Sequence, residues 1–181
     1  MDSRSPNKSQ PEELTTQLGL RTAAPAALIL VLASVPGTHA FAADSVEGVE
    51  GVYRADGELA DIQHVISHRG APFGGSATTV LIFSNKDASK DDQPENHAGK
   101  GVFGDTVVVT LARAENGYEA IGSVFVHSKL KHPGISGTGL LHIENMSVKG
   151  NMLSGRIYTD PNGDLFSEPI QVNLNFHGVQ P

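Results

Sequence analysis

Ile170-Gln171-Val172-Asn173-Leu174-Asn175-Phe176-His177 is the stretch on which the fold turns. Apolar and polar side chains alternate without a break. Successive side chains of an extended chain point to opposite faces, so the pattern describes a strand that covers a core on one side and meets water on the other. A helix would scatter the same residues around its circumference.

The pattern repeats upstream. In residues 152–159, Leu153 and Ile157 oppose Ser154 and Arg156, and Lys149-Gly150-Asn151 supplies the preceding turn. In residues 140–144, Leu141 and Ile143 oppose His142 and Glu144, with residues 146–151 as the short link to the next strand. Residues 106–113 and 118–130 flank Ala114-Glu115-Asn116-Gly117, whose Asn-Gly pair adopts the positive φ angles of a tight hairpin. Residues 78–84, TTVLIFS, have the continuous apolar character of a strand buried on both faces. Residues 59–69 are a longer, less regular candidate, paired with residues 50–54 through Ala55-Asp56-Gly57. About eight strands and no amphipathic helix predict an all-β protein, a single antiparallel β-sandwich, with a small β-barrel as the alternative.

Ahead of this domain, residues 23–35 read AAPAALILVLASV, entered from Arg21 and closed by Pro36 and Gly37. The run has signal-peptide length and falls short of the roughly 20 apolar residues of a spanning helix, so no membrane span is expected in the mature form. Ala40 and Ala42 fit a signal peptidase. The expected cut follows Ala42, with Ala40 or Ala43 as alternatives, leaving 1–42 as signal peptide and 43–181 as one β domain. With neither a twin-arginine pair nor a lipobox cysteine, the expected route is general secretion to the periplasm or the exterior.

The 139 residues that remain suffice for one domain with a core. They carry 10 basic and 17 acidic residues, a net charge of −7. That balance repels phosphate backbones and anionic lipid, so no nucleic-acid partner is expected. The absence of cysteine places stability in burial alone and fits a bacterial exported protein better than a small eukaryotic extracellular module. The sequon Asn145-Met146-Ser147 matters only in a glycosylating host.

Two connections draw attention. Residues 85–105 form a long acidic loop whose composition is too polar to order itself. Residues 69–77, RGAPFGGSA, surround Phe73 with glycines. Loops on a rigid sheet are the usual place for binding, so both are candidate ligand loops.

Candidate chemistry is sparse. His64 and His68 would share a helix face, but on a strand they stand roughly 13 Å apart and cannot hold one ion. His142 and His177 fall on polar strand faces. His127 and His132 flank a segment that could turn sharply, which makes them the metal candidates, although a zinc site needs a third protein ligand. Asp160-Pro161-Asn162-Gly163-Asp164 with Glu168 spaces oxygens as calcium loops do, but Leu165 stands where the turning glycine belongs, and a Pro-Asn-Gly turn accounts for it. Gly134-Ile135-Ser136-Gly137 is not a nucleophile elbow, and Gly99-Lys100-Gly101 is not a phosphate loop. Asp91 and Asp92 form a carboxylate pair, but one placed in the polar loop and without packing to hold it for acid–base work. No catalytic residue and no cofactor are expected.

Gly51-Val52-Tyr53 before Asp56-Gly57, the VLIFSNK run from Val80, the GRIYTD run from Gly155 and the closing strand resemble small uncharacterised exported bacterial all-β proteins. The resemblance implies the fold and carries no active site. The leading functional expectation is a non-enzymatic binding module that takes a protein or small-molecule partner through residues 69–77 and 85–105. The alternatives are a metal-dependent or hydrolytic enzyme with a histidine-containing site, and a structural envelope component joined through strand edges.

Overall fold

The computed structural model describes residues 48–115, 117–132, 134–161 and 169–180. The expected signal peptide with its expected cleavage site, Asn116, Pro133 and the greater part of the calcium-type loop, residues 162–168, lie outside the described residues.

In chain order the elements are β1 (Gly48–Ala55), β2 (Glu58–Ala60), β3 (His64–Phe73), β4 (Ser76–Ser84), α1 (Pro94–Gly99), β5 (Thr106–Ala114), β6 (Gly117–Val126), β7 (Ile135–Gly137), β8 (His142–Lys149), β9 (Met152–Tyr158) and β10 (Ile170–Val179). They form two five-stranded antiparallel sheets, ordered β2-β1-β10-β9-β8 and β3-β4-β5-β6-β7. The sheets pack face to face as a sandwich and do not close into a barrel. The expected count of about eight strands rises to ten among the described residues, because residues 59–69 divide and because Ile135–Gly137 adds β7. β2 hairpins with β1 through the Asp56-Gly57 turn, and β3 crosses to the other sheet.

The alternation in β10 is realised: Ile170, Val172, Leu174 and Phe176 are buried in the core, and Gln171, Asn175 and His177 are exposed. Against them come Leu81 and Phe83 from β4, Val107, Val109 and Leu111 from β5, and Phe125 from β6. Phe83 and Phe176 meet edge to face across the sheets at 5.6 Å. Gly51 of β1, at φ 136°, leaves room for the Asn173 carbonyl of the paired strand, which a Cβ would strike. The β5–β6 hairpin stands where the Asn-Gly pair placed it, but β6 ends at Val126 and residues 127–130 turn away, with the Leu130 amide donating to the His127 carbonyl at 3.0 Å.

Two expectations are corrected. Residues 85–105 are folded, not loose. They carry α1 and lie on the outer face of the second sheet, where Ala88, Ala98 and Phe103 pack on Val80, Ile82 and Val108. Few apolar residues suffice because the chain satisfies its own polar groups. Asp87 accepts the Ser89 amide, Asp91 accepts the Gln93 amide, and the His97 and Ala98 carbonyls accept amides from residues 100–102. This cap is why β4 is buried on both faces, as its apolar run required. The second correction concerns residues 69–77. They are the ends of β3 and β4 closed by Gly74 and Gly75, a protruding hairpin on which Phe73 is 61% exposed.

Candidate functional site

The register of β3 and β4 places the most distinctive polar group of the capped face. Ile66 belongs to the cluster beneath the cap, so His68, two residues on, projects from the same side, and it pairs with Val80 of β4. His68 and Val124 of β6 contribute from the sheet to a groove of about 660 Å3 walled by the cap, with Asp92, Pro94, Glu95 and Lys100 among the wall residues. A second, smaller hollow of about 300 Å3 shares His68 and adds Asp91 and Gln180.

The His68 ring is oriented by its own backbone. Nδ1 lies 3.1 Å from the Arg69 carbonyl oxygen, which can only accept, so Nδ1 carries the proton. In the neutral ring Nε2 is then a bare acceptor. It is buried, has no hydrogen-bond partner among the described residues, and faces Glu95 Oε2 at 4.0 Å. That distance is too long for a hydrogen bond. Two acceptors therefore face one another inside the groove.

Asp91, Asp92 and His97 also approach closely, each offering a ligand atom within 4.8 Å of the others. Their arrangement differs from that of His68. His97 Nδ1 donates to Asp91 at 2.8 and 3.0 Å, while Asp91 also takes the Gln93 amide at 2.8 Å. The hydrogen bond from His97, then that from Gln93, holds the Asp91 carboxyl below its ordinary value. Asp91 thus works as the internal tie of the cap's turn.

The histidines singled out by sequence lie elsewhere. His127 is buried after β6, its ring set edge to face on Tyr53 at 5.1 Å, and its Nδ1 accepts the Lys129 amide at 3.1 Å. Nε2 must then carry the proton of the neutral ring, and like the Tyr53 hydroxyl it has no partner among the described residues. His132 is exposed and belongs to no three-ligand cluster among the described residues. His142 is on the polar face, as expected, 3.1 Å from Asp160 and tilted against Tyr158.

That outer face of the first sheet carries a cross-strand network. Arg156 donates to Asn173 Oδ1 and to Glu144 Oε2, each at 2.8 Å, and its guanidinium lies 4.7 Å over the Tyr158 ring, whose hydroxyl donates to Glu144. The bond to Glu144 raises the Tyr158 hydroxyl above its ordinary value. With its charges paired across neighbouring strands, this network fastens the strands to one another.

The two segments proposed as ligand loops do not converge. The cap departs from Ser84 and the Phe73 hairpin closes at Ser76, the two ends of β4, about 26 Å apart at roughly 3.3 Å per residue. The residues missed by sequence reasoning are His68 in its groove and Glu95 opposite it. The period-two alternation of His64, Ile66 and His68 carried the signal for the first, but nothing in the sequence tells which face of β3 the cap will cover. Among the described residues no helix is long and apolar enough to cross a membrane. Comparison of the chain with protein-family models, with curated proteins and with solved structures gave no match.

Proposed function

We propose that this chain is an exported, non-enzymatic binding module that takes its ligand in the groove between the cap of residues 85–105 and the outer face of the β3-β4-β5-β6-β7 sheet. The observation that carries the reading is the unsatisfied Nε2 of His68 in that groove. A buried acceptor without a donor costs free energy, on the order of 1–3 kcal/mol, and a ligand supplying its partner recovers it. The preference for a binder over an enzyme rests on the groove's contents. It sets one histidine opposite Glu95 of the short helix α1, with Asp92 before that helix and Lys100 after it, and among the described residues no nucleophile is held against a base there. Export rests on the apolar run of residues 23–35 and the alanines after it.

The test is an amide-shift titration of the labelled protein with a fractionated small-molecule extract of its source cells. Shifts gathered on His68, Glu95, Lys100 and Val124 are expected. Shifts gathered on the Phe73 hairpin or on the Arg156 face instead, or none at any fraction, refute the groove. Export is tested separately by sequencing the N-terminus of protein recovered outside the cytoplasm, where a start at Ala43 is expected and retention of Met1 contradicts it.

A further inference from the structure

The geometry points to an extended peptide segment bearing lysine or arginine as the partner of the capped side, added as a further strand along the free edge of β3 at residues 64–68. The inference rests on the groove being a binding site and names the partner it takes. Among the described residues β3 pairs with β4 alone, so one side of its backbone is left without a strand. The other outer edges of the two sheets are blunted. β2 and β7 are three residues each, and β8 is broken by a register shift between Glu144 and Ser147, where Asn145 stands at φ 55°. The far half of β3 is blunted too, by Arg69, Pro72 and a register shift between Gly70 and Phe73. His64-Val65-Ile66-Ser67-His68 carries none of these devices.

That stretch is also where the hollows of the capped side lie. Gln63, His64, Val65 and Ile66 line one of about 200 Å3, and Ile66, Ser67 and His68 line the neighbouring one of about 300 Å3. Side chains of a strand alternate between its faces, so a hollow reached by consecutive residues meets the strand edge-on. Ile66 and Ser89 belong to both hollows, and His68 and Pro94 carry the second into the groove of about 660 Å3. The result is one trough along the edge. The cap forms one wall, and Gly48 of β1 with Val179 and Gln180 at the end of β10 forms the other. The Ser67 hydroxyl ties that second wall in place by donating to the Gln180 carbonyl. From Gln63 to His68 the trough runs about 16 Å at roughly 3.3 Å per residue, room for five or six residues of extended chain.

Charge decides the kind of peptide. Asp87, Asp91, Asp92 and Glu95 line the cap wall against a single lysine, Lys100, while Lys86 and Lys90 of the same segment line none of the three hollows. Hydrogen bonds from Ser89 hold the Asp87 carboxyl below its ordinary value, and those from His97 and Gln93 do the same for Asp91, so both stay charged through mild acid. Four carboxylates on one wall favour cationic side chains at alternate positions of the added strand, since those positions all face the cap. Main-chain hydrogen bonds to β3 supply the rest of the recognition.

The experiment is an amide titration of the labelled protein with an acetylated, amidated hexapeptide that alternates lysine and valine. Alternate amides within residues 64–68 should gain protection from exchange, the signature of a strand added on one side. The same peptide with glutamate in place of lysine, and the lysine peptide N-methylated throughout, should each bind at least tenfold more weakly. Asp92→Asn combined with Glu95→Gln should weaken the lysine peptide about tenfold. Neither carboxylate makes a hydrogen bond among the described residues, and unchanged exchange protection of the cap verifies that the double variant stays folded. Glu119→Gln, on the exposed β5–β6 hairpin, should leave affinity within twofold. Equal binding of the glutamate peptide or of the N-methylated one, or shifts without alternate protection on β3, overturns the inference. Groove shifts in the extract titration with no binding of the lysine peptide leave the groove standing and refute the peptide, whereas silence in both titrations refutes both readings.

Discussion

Phe103→Ala isolates the cap from the sandwich. Phe103 is 7% exposed and is the only large apolar side chain that the cap inserts against Val80, Ile82 and Val108, the others being Ala88 and Ala98. Truncating a buried phenylalanine costs about 3–5 kcal/mol, and a surface layer that can settle belongs at the lower end. At about 3 kcal/mol the loss falls on the local opening of the cap, because the core between the sheets is untouched. Each 1.4 kcal/mol is about tenfold, so protection of the cap amides should drop by roughly two orders of magnitude. The amides to follow are His97, bonded to Gln93, Gly101, bonded to Ala98, and Val102, bonded to His97. Hydrogen exchange read by nuclear magnetic resonance follows them beside strand amides of β5 and β10. Phe83→Ala, in the core between the sheets at 0% exposed, serves as the contrast and should lower protection everywhere. Equal loss of protection in cap and strands after Phe103→Ala would refute the reasoning, since the cap would then not open on its own.

Three further outcomes are expected. Burial first, and the charge of Asp105 second, push the Tyr53 hydroxyl far above its ordinary value of 10.0. The fold therefore holds the neutral phenol, so its contribution is complete below pH 10 and declines as pH rises beyond that. Tyr53→Phe should change stability at neutral pH by less than about 1 kcal/mol, because the hydroxyl has no partner among the described residues, and should flatten the alkaline decline in urea melts. An unchanged alkaline slope would count against it. Asp91 is held below 3.8 by His97 and Gln93, so its contribution is present above 3.8 and is lost as pH falls through the lowered value. Exchange protection of the cap should fail on acidification before that of the strands, and Asp91→Asn should abolish the difference in acid response. Glu144→Gln should bring the Tyr158 hydroxyl down toward 10.0, followed by ring resonances through an alkaline titration, because the hydrogen bond to a charged acceptor is what raises it.

The sandwich was legible wherever one strand face meets the core and the other meets water. β10 and β9 declare themselves in this way, and the doubly buried β4 does so through its unbroken apolar run. The cap was not legible, because its order does not come from composition. Two alanines, one phenylalanine and a set of turns closed by Asp87, Asp91 and backbone carbonyls do the work that hydrophobic content usually signals. Gly104 contributes in a way that only the fold explains, since at φ 80° it lies against the Asn85 side chain, where a Cβ would collide. The site was half legible. The polar segment of residues 85–105 was singled out, but as a loop too polar to order itself. His68 was set aside because it cannot share an ion with His64, and its actual counterpart, Glu95, comes from a helix that periodicity did not reveal. His127 drew notice as a metal candidate, yet its position after β6 turns the ring inward onto Tyr53.

The central claim is that residues 85–105 are an ordered wall of the capped face. Backbone order parameters from nitrogen relaxation on the free protein test it most directly. Values of about 0.85 through α1 and on to Gly104, matching β4 and β5, are predicted, whereas values below about 0.6 across that segment would contradict it and remove the groove with it.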